Sequence, residues 1–128
     1  MPKGNRYQWN YNKLNRLTGN IKKFASKPGN TLKLQSSCFM DLHVESLGNN
    51  IISLSHYYRQ NGDSIPDPDM TIKVYDHGVV EALTYQDSFG YQQVYTDDGQ
   101  KYYPKLKQEL NQFLDFWLTN LWKQGFYK

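Results

Sequence analysis

Apolar and polar positions change their period along this chain, and each change marks an element. Trp9, Leu14, Leu17, Ile21 and Phe24 recur at near-helical spacing, with Lys13, Arg16, Lys22 and Lys23 mostly on other faces. That pattern predicts an amphipathic helix over about residues 7 to 25, weakened or broken at Gly19 and Asn20. Ser26 to Asn30, with Pro28 and Gly29, reads as a loop. From Cys38 to Leu47 the period falls to two, with Cys38, Met40, Leu42 and Val44 on one face and Asp41, His43 and Glu45 on the other. Gly48-Asn49-Asn50 supplies a turn, and Ile51 to Arg59 reads as the partner strand of a hairpin.

A loop is expected over 60 to 69, followed by strands over 71 to 75 and 79 to 85 joined at Asp76-His77-Gly78. Ser88-Phe89-Gly90 turns the chain into a further strand over 91 to 95, and Asp97-Asp98-Gly99 closes it. Leu106, Leu110, Phe113, Leu114, Trp117, Leu118 and Leu121 then fall at spacings of three and four. Pro104 stands where a first turn tolerates proline and Gly125 where a helix ends, so a helix is predicted over 104 to 124. The fold class this implies is α+β: an antiparallel meander of about five strands flanked by an N-terminal and a long C-terminal amphipathic helix. One domain spans 1–128, divided into a basic helical segment (1–30), a sheet (38–96) and the last helix (104–124).

Composition adds limits. A chain of 128 residues supports one core, and a 16% aromatic content supplies burial that a 38% apolar fraction alone would not. The chain has no apolar run of about 20 residues and no hydrophobic leader at its start. The expected location is therefore the cytoplasm, with no membrane partner. Cys38 is the only cysteine and follows the reducing-compartment pattern; beside Phe39 and Met40 it is expected to be a packed thiol. The net charge of +3 conceals a division, since residues 1–40 carry +8 and residues 41–128 carry −5. A basic patch of Lys13, Arg16, Lys22 and Lys23 is a candidate polyanion contact, and the alternative is a solvated helix face.

Phosphate-binding, dinucleotide, zinc and nucleophile-elbow motifs are missing from the sequence, which sets aside the enzyme classes they announce. The densest polar stretch runs from Ser55 to Asp69. Its candidate recognition loop comprises His56, Tyr58, Asn61, Asp63, Asp67 and Asp69. These residues are read as turn chemistry, as a partner contact or, least favoured, as oxygen ligands for a hard cation. His43 is expected to face solvent. Tyr85, Tyr91 and Tyr95 form a candidate aromatic surface, against the plainer reading of cross-strand packing. No catalytic residue, metal ligand or cofactor is expected. An acid–base set of His56 with Asp63 or Asp67 is the remaining enzymatic alternative.

Ile52-Ser53-Leu54-Ser55-His56-Tyr57-Tyr58, Gln60-Asn61-Gly62-Asp63, Pro66-Asp67-Pro68-Asp69-Met70, Glu81 to Gln86, Gly90-Tyr91-Gln92, Lys107 to Leu114 and Trp117-Leu118 together resemble a family of small uncharacterised proteins. These are carried on conjugative elements, plasmids and prophages of Gram-positive bacteria. A fainter likeness extends to a proteobacterial domain of unknown function. The resemblance covers about residues 38 to 125 and leaves the basic N-terminal helix outside. It implies a mobile-element setting and assigns no site residues. The expected function is that of a non-catalytic macromolecule-binding accessory protein. The alternatives are an inhibitor of a host defence nuclease (anti-CRISPR or anti-restriction) acting by protein–protein binding, and a nucleic-acid-binding protein working through the basic N-terminal segment.

Overall fold

Gly19 and Asn20 do break the N-terminal helix. Gly19 takes φ 91°, and its N–H closes the first helix on the Asn15 carbonyl. The Asn15 and Asn20 side chains then accept the Ile21 and Lys23 N–H groups (2.8 and 3.1 Å), capping a new helix. The result is α1 (Asn5–Thr18) and α2 (Ile21–Ser26). The structure is a computed structural model and describes residues 5–126, with the side chains of residues 58–60 and 64–66 outside the description.

Six strands follow: β1 (Thr31–Leu34), β2 (Leu42–Gly48), β3 (Ile51–Gln60), β4 (Asp63–Val74), β5 (Val80–Asp87) and β6 (Gly90–Gln93). Each pairs antiparallel with the next in a single meander. The chain ends with α3 (Pro104–Lys123). β1, paired with β2 from Thr31↔Glu45 to Leu34↔Leu42, is a strand the pattern did not predict. The expected loop over 60–69 is instead a hairpin. Asn61 and Gly62 take φ 52° and 85°, a two-residue connection whose twist matches its strands, and Gln60 pairs directly with Asp63. Pro66 and Pro68 are tolerated because Asp67 and Pro68 bulge opposite His56, between the Ser55↔Asp69 and Tyr57↔Pro66 pairs. Cys38 lies before the strand, exposed and at φ 71°, so the expected packed thiol is corrected.

The core lies between one sheet face and the helices. Leu42, Val44, Ile52, Leu54, Met70, Ile72, Val74, Val80 and Ala82 meet Leu14, Leu17, Ile21 and Ala25 of the first two helices. Leu110, Leu114, Trp117, Leu118 and Leu121 of α3 complete it. Burying each of the Val, Leu, Ile and Met side chains among them stabilises the fold by roughly 1.5–3 kcal/mol. α1 and α3 run side by side in the same direction. Tyr7 lies near Lys107, Asn10 Nδ2 donates to the Asn111 carbonyl (3.2 Å), Lys13 bonds Asp115 and Thr119, and Arg16 sits over Trp122. Asn111 also accepts the Ala82 N–H (2.9 Å), so α3 satisfies the β5 edge where the short β6 has already ended.

Candidate functional site

The three helices hold eight basic residues and two acidic ones. The six strands hold three basic and six acidic. The charge division of the sequence is therefore a division between layers. On the helical layer, Trp9, Phe116 and Trp122 are 51%, 65% and 47% exposed. Of these rings, Trp122 lies against a cation, the Arg16 guanidinium.

A cleft opens at each end of the α1–α3 seam. The one near the helix C-termini encloses about 140 Å³; Leu17, Leu118 and Phe126 give it an aliphatic and aromatic floor, and Lys13, Arg16, Thr119, Trp122 and Lys123 complete it. Arg16 places its guanidinium 5.4 Å from the Trp122 ring centre. The cleft near the N-termini encloses about 300 Å³ and is lined by Arg6, Tyr7, Tyr102, Pro104, Lys107, Gln108 and Asn111. Between them Asp115 accepts from Lys13 and pairs with Arg6 Nε at 3.5 Å.

The expected basic patch is thus only partly a patch. Lys13 is tied to Asp115 and Thr119, Arg16 stacks on Trp122, and Lys22 and Lys23 stand exposed on α2. Lys123, Arg6 and Lys107 join the seam from positions the sequence reading did not select. Lys107 is held from beneath by Glu81, which is fully buried. Its Nζ lies 3.1 Å from Glu81 Oε2, to which the Tyr95 hydroxyl also donates, while Tyr75 donates to Oε1 at 2.8 Å. The rings of Tyr7, Tyr95 and Tyr102 surround the ammonium at 5.2–6.0 Å. Burial first, then the hydrogen bond to Glu81, pushes the Tyr75 and Tyr95 phenols up, so both stay protonated donors. The clue in the sequence was an acid inside the apolar run Val79 to Leu83.

The other predicted sites disperse. His56 is a core residue: Nδ1 lies 3.2 Å from the Asp41 carbonyl, and the ring packs against Trp117 and Phe126. Burial pulls its pKa below 6.5. Asn61 and Asp63 are exposed at the hairpin tip, Asp67 accepts from Ser88, and Asp69 accepts from Ser53 (3.1 Å), its carboxyl pushed up by burial. The side chain of Tyr58 lies outside the described residues. His43 is half-buried, its ring edge-on to Tyr57, instead of facing solvent. Asn61 and Asp63 thus face solvent while His56 lies in the core, and among the described residues no group of three His, Cys, Asp or Glu side chains stands together as metal ligands. The aromatic surface divides as well: Tyr85 packs on Phe113 with its hydroxyl pushed up to about 12 by burial and Asp87, Tyr95 bonds Glu81, and only Tyr91 is exposed.

Residues 10–127 match a family described as Domain of unknown function (DUF6908). The chain belongs to this family. No curated protein and no solved structure matches it. The DUF6908 match begins at Asn10, so most of α1 and all of α2 belong to the domain, where the resemblance in sequence began only near residue 38. The seam from Asn10 onward lies within the DUF6908 match, whereas Arg6, Tyr7 and Trp9 precede it. No helix among the described residues is long and apolar enough to cross a membrane.

Proposed function

We propose that this protein is a non-catalytic nucleic-acid-binding accessory protein whose helical layer is the contact surface. One observation carries the reading: Trp9, Phe116 and Trp122 are exposed on a layer with eight basic and two acidic residues, Arg16 lying against Trp122. Cations neutralise phosphates and release their counterions, and exposed rings stack on bases. The mobile-element setting implied by the sequence resemblance supports the same class, because such elements are moved and regulated as DNA. A cytoplasmic location goes with it.

The test is a titration of the chain into fluorescently labelled oligonucleotides between 50 and 200 mM salt, on the order of the range over which such contacts respond. Micromolar binding that weakens steeply with salt is expected. Failure to bind at the lowest salt would remove the reading. A second reading, inhibition of a host defence nuclease, is favoured by the acidic strand layer, which suits a basic nucleic-acid channel. Its signature is inhibition of a nuclease that survives neutralisation of the helical layer.

A further inference from the structure

Resting on the nucleic-acid reading above, we infer that the α1–α3 seam is a track for a single strand, DNA or RNA, running along the helix axes with unpaired bases held at the two end clefts. Each cleft joins an aromatic ring to a cation. At the C-terminal end these are Trp122 with Arg16 and Lys123, and at the N-terminal end Tyr7 and Tyr102 with Arg6 and Lys107. A single strand offers that pairing in repeat, a flat base and then a phosphate. From Tyr7 to Arg16 the seam is nine residues of helix, roughly 14 Å. That length accommodates about two to four nucleotides.

Single strands are favoured over duplex by what the rings need. In a duplex each base hides its π-faces against its neighbours, so half-exposed Trp122 and Tyr102 would find only backbone and groove edges. Unpaired bases offer those faces, and every base has one, so binding tolerates sequence. The C-terminal cleft has the apolar lining to take a base edge, through Leu17, Leu118 and Phe126. Asp115, the acid in the middle of the track, is neutralised by Lys13, and Arg6 beside it leaves the group with a net positive charge.

The experiment measures the affinity of the full chain for labelled oligo(dT) and oligo(rU) of about a dozen nucleotides, and for a duplex of the same length. Both single strands should bind at least about tenfold more tightly than the duplex, and the DNA and RNA arms decide which backbone is preferred. Trp122→Ala and Tyr102→Ala should each weaken single-strand binding by about tenfold, and Trp122→Phe should restore most of the loss. Melting temperatures should hold, because Trp122 and Tyr102 are about half exposed. Duplex bound as tightly as single strand, or single-strand binding indifferent to both ring variants, would overturn the track while leaving nucleic-acid binding in place. Binding to neither form would overturn the track together with the function on which it rests.

Discussion

A carboxylate with no exposure at all is the most consequential single residue here. Glu81 is compensated by Lys107 and receives hydrogen bonds from Tyr75 and Tyr95. Removing the cation leaves a buried charge unpaired, so Lys107→Met should cost about 3–5 kcal/mol in urea unfolding. Adding Glu81→Gln to that variant should recover much of the loss, because a neutral amide has less hydration to give up. Equal losses in the single and double variants would mean that the pair is not coupled. His56 gives the second residue-scale prediction. Its pKa in the folded chain lies below 6.5, chiefly through burial against Trp117 and Phe126. Above 6.5 both folded and unfolded states hold it neutral. As the pH falls from there toward the lowered folded value, the unfolded chain binds the proton first, and stability declines across that window. His56→Gln should flatten the decline in melting temperature between those limits, and an unchanged slope would assign it to another group.

At the scale of elements, the β3–β4 hairpin depends on two residues in the left-handed region. Gly62 at φ 85° has open space where a Cβ would point, so Gly62→Ala meets only backbone strain, roughly 1 kcal/mol. Gly62→Asn should lose less, since asparagine enters that region more readily; equal losses in thermal melts would contradict the turn geometry. This hairpin also shows where the sequence became hard to read. Pro66 and Pro68 look like loop residues because neither can donate to a ladder, yet the bulge opposite His56 accommodates them. β1 escaped because it has four residues at the sheet edge, with Leu32 and Leu34 only half-buried. α3 was legible almost to the residue, since its stripe of Leu110, Leu114, Trp117, Leu118 and Leu121 is long, regular and wholly buried. Trp117→Ala should accordingly cost about 3–5 kcal/mol, against under about 1 kcal/mol if that stripe were solvent-facing. The seam was not legible: neither Arg16 with Trp122 nor Glu81 with Lys107 is a neighbour in sequence, and only the parallel docking of α1 on α3 and the packing of α3 against the β5 edge bring them together.

Across the whole molecule the basic start of the chain and the C-terminal helix share one layer, and the acidic middle forms the other. A polyanion approaching the helical side therefore meets cations contributed by both ends of the sequence. Arg16, Lys22, Lys23 and Lys123 are all exposed, whereas Lys13 is committed to Asp115 and Thr119. Changing Lys13 would disturb the joint between helices as much as the surface charge, so the informative variant changes Arg16, Lys22, Lys23 and Lys123 to Gln together and leaves Lys13 in place. If each of the four neutralises one phosphate, the slope of log affinity against log salt for a single strand should become shallower by about 0.7 per residue, close to 3 in all. The melting temperature should stay nearly level, because exposed charges contribute little to stability. Neutralising Asp97 and Asp98, both exposed beyond the end of β6, should leave the salt slope as it is, since those residues add no phosphate contact. A quadruple variant with the wild-type slope would place the polyanion away from the helical layer, and one with a lowered melting temperature as well would show that these cations hold the helices together instead of holding a ligand.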